Sequence, residues 1–330
     1  MKAAFFEITE EWQKQILSQA LSEHKISFIN TSLDESAQAP KDAEILGVFI
    51  NSRITKGVMD KMPNLKLIVT LSTGFDHIDV NEAKKRGISV CNVPSYGENT
   101  VAEFTMALIL TLSRRIYPAI KRVHEEGKFS YEGLRGFDLK GKKIGVVGTG
   151  KIGARLIKIA QGFEMEILAY DPHPREDLEV SYLPLNDLLS QADVVTIHVP
   201  YMPDTHHLLN INNLKLIKPS AILINTSRGG LVDTMALLTA LKNGQLAGAA
   251  LDVLEEEGYI VDELNLLSGH PNEQQLKTIL ANHELMQMDN VIVTPHNAFN
   301  TKEALERIIN TSIDNIKAFI SGTPQNTVVK

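Results

Sequence analysis

Short apolar runs separated by polar, amphipathic stretches recur along the whole chain, and their spacing sets the elements it predicts. In the first hundred residues, runs at 2–7, 26–29, 45–50, 67–71 and 89–91 read as strands. Helix-like stretches at 11–22, 56–62 and 80–86 lie between them. Strand, helix, strand at this spacing is the pattern of a parallel sheet with helical crossovers. A long helical pattern follows from 99 to about 127, with Ala102, Thr105, Met106, Ile109 and Leu110 at helical spacing and Gly127 as its stop. A second alternating region has strands at 143–147, 166–170, 193–199, 221–225, 248–252 and 291–294. The runs Ile144-Gly145-Val146-Val147 and Val194-Val195-Thr196-Ile197 are almost wholly apolar, as strands covered on both faces are. The segment 255–290 is less regular, with a helix-like stretch near 273–282, and 302–320 carries an amphipathic helical pattern ending at Gly322 and Pro324. The fold class is therefore α/β, with two doubly wound parallel-sheet units joined near the long helix.

Length and composition agree with this. At 330 residues, two domains are expected. Hydrophobic residues at 43% and charged residues at 22% suit a globular chain with a large core. A net charge of −7 argues against nucleic acid or an anionic membrane as partner. The single cysteine, Cys91, excludes an internal disulfide and reads as a packed strand residue. The acidic Glu7 comes too early for a signal peptide, and no apolar stretch reaches membrane-spanning length, so the expected location is the cytoplasm.

Chemistry enters after the strand 143–147. Gly148-Thr149-Gly150-Lys151-Ile152-Gly153 follows it directly and opens a helical pattern, as a dinucleotide-binding loop does. The helix N-terminus there suits a pyrophosphate. Asp171, at the end of the next strand, can accept hydrogen bonds from both ribose hydroxyls and repel a 2′-phosphate, which points to NAD. Arg175, close by in sequence, weakens that exclusion of NADP.

Three ionisable residues fall at later strand ends: Arg228, Glu257 and His296. A guanidinium can pin a carboxylate with two parallel hydrogen bonds. A histidine can deliver a proton near neutral pH, and a carboxylate beside it can orient the ring. Read singly, each has a plainer explanation: a surface arginine, a loop histidine after proline, and a solvated acidic edge at Glu255, Glu256 and Glu257. His206, His207, His270 and His283 show no zinc-ligand spacing, so no metal is expected.

The chain resembles the D-isomer-specific 2-hydroxyacid dehydrogenase family, and within it most the NAD-dependent D-lactate dehydrogenase branch. The motifs are Asn92-Val93-Pro94-Ser95-Tyr96 with Val101-Ala102-Glu103, the glycine loop, His198-Val199-Pro200, Asn225-Thr226-Ser227-Arg228-Gly229-Gly230-Leu231-Val232-Asp233, Ala250-Leu251-Asp252-Val253 and Thr294-Pro295-His296. They span nearly the whole chain in matching order.

The resemblance implies reduction of a small 2-keto acid, pyruvate favoured, to the D-2-hydroxy acid. Arg228 would bind the substrate carboxylate and C2 oxygen, His296 would be the acid/base and Glu257 its partner. NAD would be held by the glycine loop, Asp171, His198, Val199, Pro200, Thr226, Ser227 and Asp252, the last on the nicotinamide carboxamide. Substrate would meet Ser72, Thr73, Gly74, Tyr96 and Phe299, with Asn51 facing the same space. The implied layout is a substrate domain over 1–98, completed by 299–330, and a Rossmann NAD domain over 99–298, in a homodimer built through the latter. Asn51-Ser52-Arg53 stands where phosphoglycerate-oxidising relatives carry an Arg-Ser-Arg run. Asn297-Ala298-Phe299 stands where the family usually has its tryptophan region, as in the D-lactate branch. A bulkier keto acid, glyoxylate, and a non-catalytic NAD-sensing corepressor stand as alternatives.

Overall fold

The computed structural model describes residues 1–261 and 271–328. In chain order the first elements are β1 (Lys2–Phe6), α1 (Glu11–Ala20), β2 (Lys25–Ile29), β3 (Ile45–Val48), α2 (Lys56–Asp60), β4 (Leu67–Thr70), α3 (Val80–Lys85) and β5 (Ser89–Cys91). Then come α4 (Glu98–Ser113), α5 (Ile116–His124), β6 (Lys143–Val147), α6 (Lys151–Gly162), β7 (Glu166–Tyr170), β8 (Ser181–Tyr182), α7 (Leu185–Gln191), β9 (Val194–Ile197) and α8 (Ile211–Leu214). They are followed by β10 (Ile222–Asn225), α9 (Thr234–Lys242), β11 (Gly248–Leu251), α10 (Gly258–Val261), α11 (Glu273–Gln287), β12 (Val291–Val293) and α12 (Lys302–Ile320). The chain divides into two compact units, 1–96 with 300–330, and 97–299.

In the first unit five strands lie parallel in the order β2-β1-β3-β4-β5. One face packs Ala4, Phe6, Leu46, Val48 and Ile68 against Val58, Met59 and Ala83 of α2 and α3. On the C-terminal helix, Ile308, Ile309, Ile313 and Ile316 form a buried stripe, and the helix packs on β4 and α1. Burial of each such side chain is worth about 1.5–3 kcal/mol, enough to hold the returning segment to this unit. The buried Asn315 of α12 donates to the Asn92 carbonyl at 2.8 Å and accepts from Asn326 Nδ2 at 2.8 Å. The tail then pairs along the edge of β5, with Val328 N donating to Val90 O at 2.9 Å.

In the second unit seven strands run parallel in the order β12-β11-β10-β9-β6-β7-β8. The order reverses between β6 and β9, as in a Rossmann sheet. Alternate residues explain the apolar runs: Ile144, Val146, Ile222, Ile224 and Ala250 face α4 and α6. Val147, Val195, Leu223 and Leu251 face the side packed by α7, α8, α9 and α11. Both faces are dry, so polar alternation is absent.

The helix expected over 99–127 is two helices. α4 ends at Ser113, and Arg115 takes a left-handed φ of 50° before α5. Pro118 is the reason: inside one continuous helix its ring would clash with the carbonyl four residues back and leave that carbonyl without a donor. Placed in the first turn of α5, where N–H groups have no intrahelical partner, it is tolerated. The two-residue edge strand β8 carries too short a pattern to read from sequence.

Candidate active site

The glycine loop joins β6 to α6 at the reversal of strand order. Gly148 has φ 99°, and a Cβ there would sit 2.7 Å from the His198 carbonyl carbon. A Cβ at Gly153 would meet Gly148 O at 2.0 Å. These two glycines are demanded by the chain's own packing. Gly150 is not: a Cβ there meets no protein atom within 4 Å, so the space beside it is open to a ligand. Gly150 is also the N-cap of α6 and offers no side chain to the first-turn N–H groups. Open space beside a helix N-terminus fits a pyrophosphate.

Asp171 lies just past β7. Its Oδ2 accepts from Thr149 N at 2.7 Å and Thr149 Oγ1 at 3.1 Å, and its Oδ1 from His173 N at 2.9 Å. Burial pushes its pKa up, but these hydrogen bonds outweigh it and hold the carboxyl below its usual value. It is therefore charged near neutrality. The Arg175 side chain is paired with Asp177, Nε to Oδ1 at 2.9 Å, which engages the cation that could have met a 2′-phosphate.

At the end of β10, Asn225 shapes the turn: its Nδ2 donates to Arg228 O at 2.9 Å and its Oδ1 accepts from Ser227 N at 3.0 Å. Ser227 Oγ donates to Val199 O at 2.7 Å, tying the turn to the His198-Val199-Pro200 segment after β9. Thr226 Oγ1 meets Thr105 Oγ1 of α4 at 2.9 Å. Enclosure pulls the His198 imidazole down to about 4, so it is neutral, and its Nε2 lies 2.9 Å from Thr196 Oγ1.

Beyond β11 and β12 the pieces converge. His296 Nδ1 lies 2.9 Å from Glu257 Oε1. A carboxylate only accepts, so Nδ1 carries the hydrogen and Nε2 faces away from the pair. Glu257 Oε2 accepts from Leu254 N at 3.2 Å, which fixes the carboxylate on its own turn. His296 has a left-handed φ of 51°, and Phe299 stands edge-on to its ring at 6.4 Å.

Asp252 organises this loop. Its side chain is 1% exposed and accepts from Thr294 Oγ1 at 2.6 Å, Asn297 N at 2.8 Å and Ala298 N at 2.9 Å. Its carbonyl accepts from His296 N at 2.8 Å. Burial raises its pKa despite these donors. Sequence reading assigned Asp252 to the cofactor alone. The role of Thr294, Asn297 and Ala298 as its donors had no local signal, because the contacts span more than forty residues.

Most of the other expected residues belong to the first unit. Ser72, Thr73 and Gly74 follow β4: Ser72 Oγ donates to Gly74 O at 2.6 Å and Thr73 Oγ1 to Val93 O at 2.7 Å. Tyr96 ends that unit before α4, and its carbonyl accepts from Arg307 Nε at 2.8 Å. Phe299 falls in the second unit.

His206, His207 and Glu255 come together, with their ligand-type atoms within 4.8 Å of one another. The two rings stack at 3.8 Å with 25° between planes. Lone pairs of stacked rings run side by side, whereas a metal needs them to converge at about 2.0–2.1 Å. His207 Nε2 instead pairs with Glu255 Oε1 at 2.7 Å, and Glu255 Oε2 accepts from Thr234 Oγ1 at 2.8 Å. The cluster anchors the turn that leads to Glu257. His283 is exposed on α11, and His270 lies outside the described residues. Among the described residues no helix is long and apolar enough to cross a membrane.

A parallel sheet with this glycine loop and an acidic strand end has the form of an NAD-binding domain, and comparison with known proteins makes the class specific. The family described as "D-isomer specific 2-hydroxyacid dehydrogenase, NAD binding domain" matches residues 106–298. The 2-hydroxyacid dehydrogenase A of Aspergillus oryzae is 38% identical over 100% of this chain and 96% of its own length. The glyoxylate reductase of Thermofilum pendens is 40% identical over 88% of this chain and 82% of its own. Among solved structures, D-lactate dehydrogenase from Aquifex aeolicus complexed with NAD and lactic acid aligns with TM-score 0.88 and 36% identity, covering 99% of both chains. The chain belongs to the D-isomer-specific 2-hydroxyacid dehydrogenases, and NAD is its cofactor.

Proposed function

We propose that this protein reduces a small 2-keto acid, pyruvate foremost, to the D-2-hydroxy acid, with Arg228, Glu257 and His296 as its working residues. The observation that carries the reading is the His296–Glu257 pair, which commits Nδ1 to a carboxylate and leaves Nε2 for a substrate oxygen. Likeness to a D-lactate dehydrogenase and a glyoxylate reductase puts small keto acids first.

Arg228 binds the substrate carboxylate with two N–H groups and draws density from the C2 oxygen. His296 gives the Nε2 proton to that oxygen as C2 becomes tetrahedral, and recovers it from the alcohol in the reverse direction. Glu257 holds the Nδ1–H, so that Nε2 accepts in the neutral ring and donates in the imidazolium, whose charge the carboxylate balances. Ser72, Thr73, Gly74, Tyr96 and Phe299 are assigned to the substrate by the family resemblance. The chemistry supplied by the bound cofactor, held by the glycine loop, Asp171, the 198–200 segment, Thr226, Ser227 and Asp252, is hydride donation to C2.

A second copy of the chain is the proposed partner. The outer face of α5 shows Ile116, Tyr117, Ile120 and Val123, and the loop after it shows Phe129 at 98% and Tyr131 at 89% exposure. An apolar face of this extent on the NAD-binding unit suits a self-complementary interface. Light scattering on Ile120→Glu should read a monomer where the wild type reads a dimer.

The substrate is tested by NADH oxidation with pyruvate, 2-ketobutyrate, glyoxylate, 2-ketoisocaproate and phenylpyruvate. The highest kcat/KM is expected with pyruvate. A large preference for phenylpyruvate or 2-ketoisocaproate would overturn that choice of substrate.

A further inference from the structure

The turn after β11 carries Glu257, and its shape is not one the chain adopts unaided. Glu256, the residue before Glu257, has a left-handed φ of 57°, which a residue with a Cβ seldom takes. Such a conformation persists only where the surroundings fix the chain beside it. Glu255 supplies that fixing. Its Oε1 lies 2.7 Å from His207 Nε2, and its Oε2 accepts from Thr234 Oγ1 at 2.8 Å. Its carbonyl accepts from Nδ2 of the fully buried Asn282 of α11 at 2.7 Å. The link from Leu254 to Glu255 packs on Gly229, where a Cβ would sit 2.0 Å from Leu254 C and 2.2 Å from Glu255 N. The anchor itself is firm: His207 N donates to Gly230 O at 2.8 Å, and the ring stacks on His206 at 3.8 Å. One side chain thus joins the connections that follow β9, β10 and β11.

Glu257 takes a backbone donor from the same turn, Leu254 N at 3.2 Å, so its carboxylate goes where the turn goes. Were Glu255 to let go, Glu256 could relax to an ordinary backbone conformation. A change in that dihedral would swing Glu257 off His296 Nδ1, now 2.9 Å away. We propose that Glu255 is a positioning residue for the acid–base pair: by clamping this turn to His207 and Thr234, it holds the Glu257 carboxylate on His296 Nδ1. What His296 draws from Glu255 is the reach of its side chain, not its charge. Every residue of the clamp belongs to the second unit. The inference rests on the proposed roles of His296 and Glu257 and deepens them.

The test compares the full chain as wild type, Glu255→Ala and Glu255→Gln. Alanine removes both anchors. Glutamine keeps them without the charge, since its oxygen can accept from His207 Nε2 and its NH2 can donate to the Thr234 hydroxyl. With NADH and pyruvate, Glu255→Ala should lower kcat about tenfold, part of what a general acid is worth, and leave the KM for NADH near the wild-type value. Glu255→Gln should recover most of that loss. In a Glu257→Ala background Glu255→Ala should cost nothing further, because the contact it protects is already gone. A second readout needs neither cofactor nor substrate. In a nitrogen-edited proton spectrum of histidine-labelled protein, His296 Nδ1–H should give a slowly exchanging signal, identified by its absence in His296→Gln. Glu255→Ala should lose that signal to exchange with water, and Glu255→Gln should keep it. Equal losses in Glu255→Ala and Glu255→Gln, full additivity with Glu257→Ala, or a wild-type kcat and signal in Glu255→Ala would each overturn the inference. If Glu255→Ala does not fold by circular dichroism, Thr234→Val decides: it removes one anchor with little change of shape, and must weaken the signal and lower kcat. Wild-type protein that turns over no 2-keto acid would overturn the proposed function, while the His296 signal still decides the clamp.

Discussion

Replacing Asp252 with asparagine probes the loop that carries His296. In the wild type Oδ1 takes Thr294 Oγ1 and Asn297 N, while Oδ2 takes Ala298 N. An asparagine must put NH2 at one of these places. With NH2 at the Oδ2 place, Ala298 N–H faces another donor; with the reverse flip Asn297 N–H does, while the Thr294 hydroxyl can turn to accept. Either orientation leaves one buried N–H unsatisfied, at roughly 1–3 kcal/mol. For a unit of this size that corresponds to a fall in Tm of roughly 2–10 °C. Part of the loss is returned, because burial raises the Asp252 pKa, which means the charged form is disfavoured where it sits. The sign of the pH dependence follows. A carboxyl whose folded-state value lies above its unfolded value contributes stability below the unfolded value and loses it as pH rises through the folded one. The substituted amide does not titrate, so the deficit of Asp252→Asn against wild type should narrow as pH rises above the ordinary aspartate value. Thermal denaturation followed by circular dichroism reads this, and kcat for pyruvate should fall at least about tenfold as the His296 loop loosens. Wild-type Tm together with wild-type kcat in Asp252→Asn would refute the clamp.

Further expectations concern the remaining site residues and the acid limb of stability. Arg228→Ala should raise KM and lower kcat for the keto acid, and Arg228→Lys should rescue only part, since an ammonium lacks the planar fork. Asp171→Ser should narrow the preference for NADH over NADPH, read as the ratio of kcat/KM values, and equal use of both cofactors by the wild type would contradict the assignment. His198, pulled from 6.5 to about 4, contributes stability that is present above the unfolded value and lost as pH falls through the folded one. Denaturant titrations should therefore show roughly 3 kcal/mol lost between pH 6.5 and 4 from this group, and a flatter profile in His198→Gln.

Much of the architecture was legible because both sheets are parallel and covered on both faces, which turns each strand into an apolar run. The glycine loop was legible for a related reason, since backbone crowding at Gly148 and Gly153 leaves no other residue type. What escaped was set by distance. The break at Arg115 depends on where Pro118 falls in the turn count, and the edge strand β8 is too short to show a period. Glu7 read only as an acidic residue near the N-terminus, because its four donors come from a loop more than forty positions away. The meeting of His206, His207 and Glu255 is likewise a product of β9 and β11 lying on either side of β10. Arg228, Glu257 and His296 could be placed near strand ends from sequence, but the Nδ1 contact of His296 with Glu257, rather than Glu255 or Glu256, needed the folded turn.

The most direct test of the account is the handedness and proton chemistry of pyruvate reduction, measured together. Purified wild-type protein should oxidise one NADH for each lactate formed, and chiral chromatography should find the D-isomer. His296→Ala should keep NADH binding by fluorescence titration while kcat falls at least about a hundredfold, the low end for loss of a general acid. Formation of L-lactate, or full turnover without His296, would contradict the account.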